Sequence, residues 1–224
     1  MSAVVKICGQ RQPQHAVAAA DSGADFIGMV FAPGRRQVTP AEGRAIVDAV
    51  RRGRQKPPTL VGVFVNAPAQ DVNHVAGECS LDMVQLAGGE PWSYCDQIKI
   101  PIIKVLHVDE AGAGDTGLSS LARMCQEATV RGYTILLDSG ADRMPGGTGK
   151  TFDWNIAREL SQDFQFLMAG GLTPETVAEA ISVAHPWGVD VSSGVETNGV
   201  KDVAKIQAFI RAAKSARMVK NESS

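Results

Sequence analysis

Short apolar, β-branched runs alternate along this chain with segments of helical spacing, and the alternation occurs eight times. Strands are predicted near residues 4–8, 26–31, 60–65, 83–86, 102–107, 134–138, 166–169 and 189–192. Helical segments are predicted near 13–22, 40–50, 69–78, 91–97, 118–130, 153–160, 174–184 and 202–215. Parallel strands need a crossover long enough to hold a helix, and the helices then cover the sheet. Eight such units predict an α/β fold, a closed (β/α)8 barrel of the TIM type. An open doubly wound sheet uses the same alternation, but eight units with no leftover domain favour the barrel. At 224 residues each unit has about 28, so residues 1–224 are read as one barrel domain with few insertions and a frayed polar tail at 219–224.

Helix start signals support this reading. Thr39-Pro40-Ala41-Glu42 supplies a capping hydroxyl, a proline for the first helical position and a capping-box glutamate. Thr173-Pro174-Glu175 repeats the cap-then-proline pattern, and Pro13 and Pro91 also stand where helices should begin.

Composition excludes several classes. The four cysteines, Cys8, Cys79, Cys95 and Cys125, are widely spaced and form no Cys-x-x-Cys pair. That pattern argues against a disulfide framework and against structural zinc; the last three are read as packing residues. The net charge of −2 gives no electrostatic reason to expect nucleic acid. The basic run Arg51-Arg52-Gly53-Arg54-Gln55-Lys56 is read as a solvated helix end. No apolar run has the length of a membrane span and no signal peptide is evident, so a cytoplasmic protein without a membrane partner is expected.

In barrels of this kind the chemistry sits on the loops after the strand C-termini. Those positions hold Cys8-Gly9, Arg35-Arg36, Asn66, Gln85 to Gly88, His107, Asp138, Gly170-Gly171 and Asp190 to Gly194. They lack the converging ligands of a metal site, so none is expected. Cys8 is either a small buried hydrophobe or a thiol placed for chemistry. Lys6 shares its side of the strand and receives no role. The loops Ala169-Gly170-Gly171-Leu172 and Val191-Ser192-Ser193-Gly194-Val195 are either tight turns or the usual phosphate seat after strands 7 and 8. The segment 139–151 ends in Gly149-Lys150-Thr151 but fails P-loop spacing, because Met144 stands where a glycine is required. It reads either as a lid over the site or as a surface connection.

Together the words Lys6-Ile7-Cys8-Gly9, Gly62-Val63-Phe64-Val65-Asn66, Val84-Gln85-Leu86, Leu136-Leu137-Asp138, Gly146-Gly147-Thr148-Gly149-Lys150-Thr151-Phe152-Asp153-Trp154, Gly170-Gly171-Leu172 and Val189-Asp190-Val191-Ser192-Ser193-Gly194-Val195-Glu196 resemble the phosphoribosylanthranilate isomerase family. They run in order from the first strand to the last. The resemblance implies an Amadori rearrangement of an aminoaldose phosphate to an aminoketose phosphate, without a cofactor. It implies Asp138 as general acid on the ring oxygen and Cys8 as general base at C2′. It also implies Arg36 on the anthranilate carboxylate, although a loop one residue shorter than the family's leaves Arg35 as the alternative. Asp190 becomes a second site carboxylate near the substrate amine, or an inward residue satisfied by hydrogen bonds. Gly170, Gly171, Ser192, Ser193 and Gly194 become the phosphate seat. The implied partner is a small phosphosugar, and a monomer is expected over a homodimer.

One departure is sharp. The family reads Gln-Leu-His-Gly after strand 4, whereas here it is Gln85-Leu86-Ala87-Gly88. The departure leaves two rivals, a related aminoaldose isomerase barrel and a non-catalytic phosphate-binding barrel. Retention of Cys8, Asp138 and the glycine-rich loops favours activity.

Overall fold

The computed structural model describes residues 2–108, 115–138 and 154–216. Eight parallel strands pair in chain order into a closed barrel: β1 (Val4–Ile7), β2 (Phe26–Val30), β3 (Thr59–Phe64), β4 (Met83–Leu86), β5 (Ile102–His107), β6 (Thr134–Asp138), β7 (Phe166–Ala169) and β8 (Gly188–Val191). The ring closes where β1 pairs with β8, in a register that sets Lys6 opposite Asp190. The helices are α1 (Pro13–Asp21), α2 (Pro40–Arg51), α3 (Ala69–Glu78), α4 (Trp92–Cys95), α5 (Asp115–Val130), α6 (Trp154–Leu160), α7 (Val177–Ala184) and α8 (Val203–Ser215). A two-stranded hairpin, β9 (Glu196–Thr197) and β10 (Val200–Lys201), follows β8 and precedes α8. No described helix is long and apolar enough to cross a membrane.

Alternation along the strands divides the core in two. Phe26, Val61, Ile103, Val105, Leu136 and Leu167 fill the barrel interior. Their strand neighbours, among them Val5, Ile7, Ile27, Leu60 and Ile135, face outward and pack with helix residues such as Ile46, Val50 and Phe209. This is the period-two pattern of a sheet buried on both faces. Trp187 meets Phe26 edge to face at 6.2 Å, just before β8 begins. Toward the C-terminal ends the interior changes character, and Lys6, Gln85 and Asp190 are all buried there.

Three helices differ from expectation, and of these α5 begins three residues earlier, at Asp115. The α4 helix is a single turn, because Pro91 stays extended as its cap and Gln97 and Ile98 close back through short bonds to Tyr94 and Cys95. The α7 helix begins three residues later than expected. Its approach is held by local hydroxyl bonds, with Thr173 N donating to Thr176 Oγ1 (3.0 Å) and Glu175 N to Thr173 Oγ1 (3.3 Å). The basic run after α2 is tied down by ion pairs: Arg51 reaches Asp82 at 2.6 Å and Arg54 pairs with Asp21. Exposed pairs of this kind add little stability. All four cysteines are free and buried.

The α2 capping box forms as expected. Glu42 N donates to Thr39 Oγ1 (3.2 Å), and Thr39 N donates back to Glu42 Oε2 (2.7 Å). Replacing Thr39 by Ala is expected to lower the unfolding free energy by about 1 kcal/mol. Urea denaturation of the two proteins checks this, and an unchanged midpoint contradicts it.

Candidate active site

At the C-terminal end of the barrel, one open cleft of about 460 Å³ gathers the shortlisted residues of strands 6 to 8, whereas Cys8, Arg35, Arg36, Asn66, Gln85 and His107 are not among those lining it. Asp138 comes from the end of β6, Gly170 and Gly171 from the loop after β7, and Asp190 from β8. Ser192, Ser193 and Gly194 complete the wall. The two loops are pressed together, since a β-carbon on Gly194 would lie 1.9 Å from the Leu172 carbonyl oxygen. Only glycine permits this approach, which brings two stretches of small residues to one side of the cleft. Such a wall can offer backbone N–H groups to an anion without side-chain obstruction. The candidate lid 139–151 lies outside the described residues, as does the tail 219–224.

Cys8 stands immediately beyond β1, with its N–H donating to the Val191 carbonyl at 2.8 Å. Cys8 is only 6% exposed. Its neighbours are set by three strands. Lys6, two residues earlier on the same face, is wholly buried and donates from Nζ to Asp190 Oδ1 at 3.0 Å. A β-carbon on Gly28 of β2 would lie 2.8 Å from Cys8 Sγ and 3.2 Å from Lys6 Nζ. Gly28 is thus the gap into which the thiol and the ammonium both fit. Burial pushes the Cys8 thiol up, against the opposing pull of the Lys6 cation, while the Asp190 carboxylate adds to the rise. Burial also works against the Lys6 ammonium, but Asp190 and Cys8 outweigh it and hold its pKa above the ordinary value.

Arg36 enters from the loop after β2, its side chain passing over Gly9. Its guanidinium grips Glu196 with two bonds, Nε to Oε1 at 2.7 Å and Nη2 to Oε2 at 3.2 Å. Arg35 is largely exposed and reaches the same carboxylate at 3.4 Å. From β10, Lys201 donates to Glu196 Oε1 (2.9 Å) and to the Ser192 carbonyl (2.7 Å). Burial alone would raise the Glu196 pKa, but Arg36 and Lys201 overcome it and hold it at about 2. Glu196 and Lys201 were absent from the strand-end shortlist, because the hairpin that carries them was not anticipated. Its signal was present: Asn198-Gly199 forms the turn, with φ of 51° and 75°, the signature of a two-residue hairpin.

The rim beside β4 shows how Ala87 is accommodated. Ala87 packs against the interior cluster, and the His107 Nε2 atom at the end of β5 lies 3.2 Å from its carbonyl oxygen. His107 pairs in register with Asp138, so an imidazole still occupies this edge of the mouth, supplied by the neighbouring strand. Asn66 serves the loop: its Oδ1 accepts from Gly89 N, while its own N–H donates to Glu90, which is anchored by buried Lys104 at 3.0 Å.

Comparison with known proteins agrees with this architecture. A family model described as N-(5'phosphoribosyl)anthranilate (PRA) isomerase matches residues 5–212. An N-(5'-phosphoribosyl)anthranilate isomerase from Roseiflexus castenholzii is 45% identical over 217 residues, covering 95% of this chain and 99% of its own. Its counterpart in Dehalococcoides mccartyi is 42% identical, over 94% and 95% of the two chains. Among solved structures, phosphoribosyl anthranilate isomerase from Thermotoga maritima superposes with a TM-score of 0.80 at 36% identity, over 95% of this chain and 98% of its own.

The Glu196 cluster makes a pH-dependent contribution to stability. Its folded-state pKa of about 2 lies below the reference value of 4.5, so the contribution is complete above about pH 4.5 and is lost as pH falls through 2. Glu196→Gln is expected to cost about 2 kcal/mol at pH 7, with the gap to the parent protein closing steadily below pH 4.5. Urea unfolding at several pH values tests this, and a gap independent of pH contradicts it.

Proposed function

The chain belongs to the N-(5'-phosphoribosyl)anthranilate isomerase family, and from that membership we propose how its cleft performs the reaction. The protein is an isomerase of tryptophan biosynthesis. It converts N-(5-phosphoribosyl)anthranilate into the corresponding 1-deoxyribulose aminoketose phosphate. The finer assignments rest on one observation: Asp138, Asp190 and the glycine-rich loops after β7 and β8 line a single cleft, and Asp190 ties the Cys8 strand to it.

The substrate phosphate sits against Gly170, Gly171, Ser192, Ser193 and Gly194, where small residues leave the backbone accessible. Anchored there, the ribose reaches inward toward Asp138 and Cys8. Asp138 gives its proton to the ring oxygen as the C1′–oxygen bond breaks, and the anilino nitrogen lone pair forms the Schiff base. The Cys8 thiolate then removes the proton from C2′. The released electron pair flows into the iminium to give the enolamine, which tautomerises to the ketone with a proton added at C1′. The substrate's own nitrogen is the electron sink, so the residues need only move protons.

Arg36 holds the anthranilate carboxylate, supported by the bidentate grip of Glu196 on its guanidinium, which limits its freedom to swing away. Arg35, exposed and more loosely attached, is the less suitable donor. The His107 imidazole beside Ala87 supports activity despite the missing family histidine. The reading extends to a cytoplasmic monomer. Its support is that exposed large apolar side chains among the described residues are limited to Val65, Met124, Val130 and Val200, of which only Met124 and Val130 share an element, α5.

Cys8→Ala and Asp138→Asn are each expected to lower kcat by at least about 100-fold. Loss of substrate fluorescence with freshly generated phosphoribosylanthranilate provides the assay, and near-normal turnover removes the residue concerned from its role. Inorganic phosphate is expected to inhibit competitively against the substrate, and inhibition that is purely noncompetitive counts against the seat. Sedimentation velocity is expected to show a single monomeric species, and a dimer at micromolar protein refutes that part of the reading.

A further inference from the structure

Among the described buried charged groups that the mechanism above does not use, Lys6 is the one packed beside Cys8. Lys6 is completely enclosed by the barrel, and its long side chain ends not at solvent but at Asp190, which lines the cleft. A buried lysine is costly unless paired, and replacing such a pair by apolar residues is often neutral or stabilising. The other interior positions at lower levels are indeed apolar.

Its surroundings account for its place. Asp190 on β8 accepts from Lys6 Nζ at 3.0 Å, and the strand register puts the two directly opposite each other. On the far side, the missing side chain of Gly28 lets Nζ and Cys8 Sγ share one small space. The ammonium therefore stands 3.0 Å from a carboxylate and shares the space beside Gly28 with the thiol. We propose that Lys6 is the positioning residue of the general base: its ammonium, fixed by Asp190, stabilises the thiolate of Cys8 and orients it toward the substrate. This deepens the assignment of Cys8 as base and rests on that reading.

Other charges face the thiol as well. Asp190 opposes thiolate formation from β8, and Lys201 favours it from the hairpin. Arg36 and Glu196 lie beyond Gly9 and largely neutralise each other, while Asp138 lines the cleft from β6. Lys6 is the cation with the strongest hold on the thiol, and it lowers a proton affinity that burial raises. Asp190 acts in both directions: it anchors the ammonium, but it also competes with the thiolate for it. Removing one member of the pair should therefore move the thiol one way, and removing the other should move it the opposite way.

The test follows the thiol itself. In protein carrying 13Cβ-labelled cysteine, the Cys8 resonance is identified by its loss in Cys8→Ser and titrated with pH. Lys6→Met is expected to raise the midpoint by about one unit or more, given the Coulomb energy of a charge at this range. Lys6→Arg should stay near the parent value, whereas Asp190→Asn should lower it. The acid limb of kcat/KM is expected to follow the same shifts, with kcat affected in Lys6→Met more than KM. A midpoint unmoved by Lys6→Met overturns the proposal, and so does a shift in the same direction for Lys6→Met and Asp190→Asn. Should Lys6→Met fail to fold, the sign of the Asp190→Asn shift decides. Full turnover by Cys8→Ala would instead defeat the base assignment, a result distinct from a stationary thiol titration.

Discussion

Closure of the sheet upon itself is the constraint from which the site follows. Seven of the eight strand pairings join neighbours in sequence, but the eighth joins β1 to β8. That last pairing brings residues 184 positions apart into hydrogen-bonding contact as Lys6 and Asp190. Its register also places Cys8 directly beyond Val191 and beside the loop that begins at Ser192. A slip by one residue would turn Lys6 outward and Ile7 inward. Cys8 and Asp190 thus come to the same end of the barrel because the ring closes in this register and no other.

The interior is graded along its axis in a way that separates stability from chemistry. Branched and aromatic side chains fill the lower levels, and each contributes the usual gain of leaving water. The polar level above them consists of Lys6, Gln85 and Asp190. Beyond that level the walls become glycine and serine, and bulk is absent where a substrate must enter. The hairpin after β8 adds an outer brace. Its buried lysine and glutamate hold Arg36 from one side and the Ser192 backbone from the other, linking two loops that the barrel alone leaves independent.

Much of this was legible in the chain. Strand order and number followed from the alternation, since each strand is buried on both faces and reads as a short apolar run. Cys8 and Asp138 stand out as candidates because strand ends are where a barrel keeps its reactive groups. The glycine-rich loops were found by their position after the last two strands. The α4 and α7 helices were overextended because proline marks a possible start without fixing where the first full turn forms. The hairpin was overlooked because two-residue strands carry too little periodicity to register, and only Asn198-Gly199 announced it. Gly28 and Lys6 were hidden for a different reason. A glycine within a strand and a lysine on a strand are ordinary in isolation, and their meaning appears only when β1, β2 and β8 come together.

The seam between β1 and β8 also bears on how the protein comes into being. Lys6 leaves the ribosome 184 residues ahead of its counter-charge. Until Asp190 arrives, packing β1 would bury an uncompensated charge. A chain truncated before β8 therefore has reason to keep its first strand undocked, which leaves Cys8 apart from the rest of the cleft. The ion pair at the closing seam thereby ties the docking of the first strand to the arrival of the last.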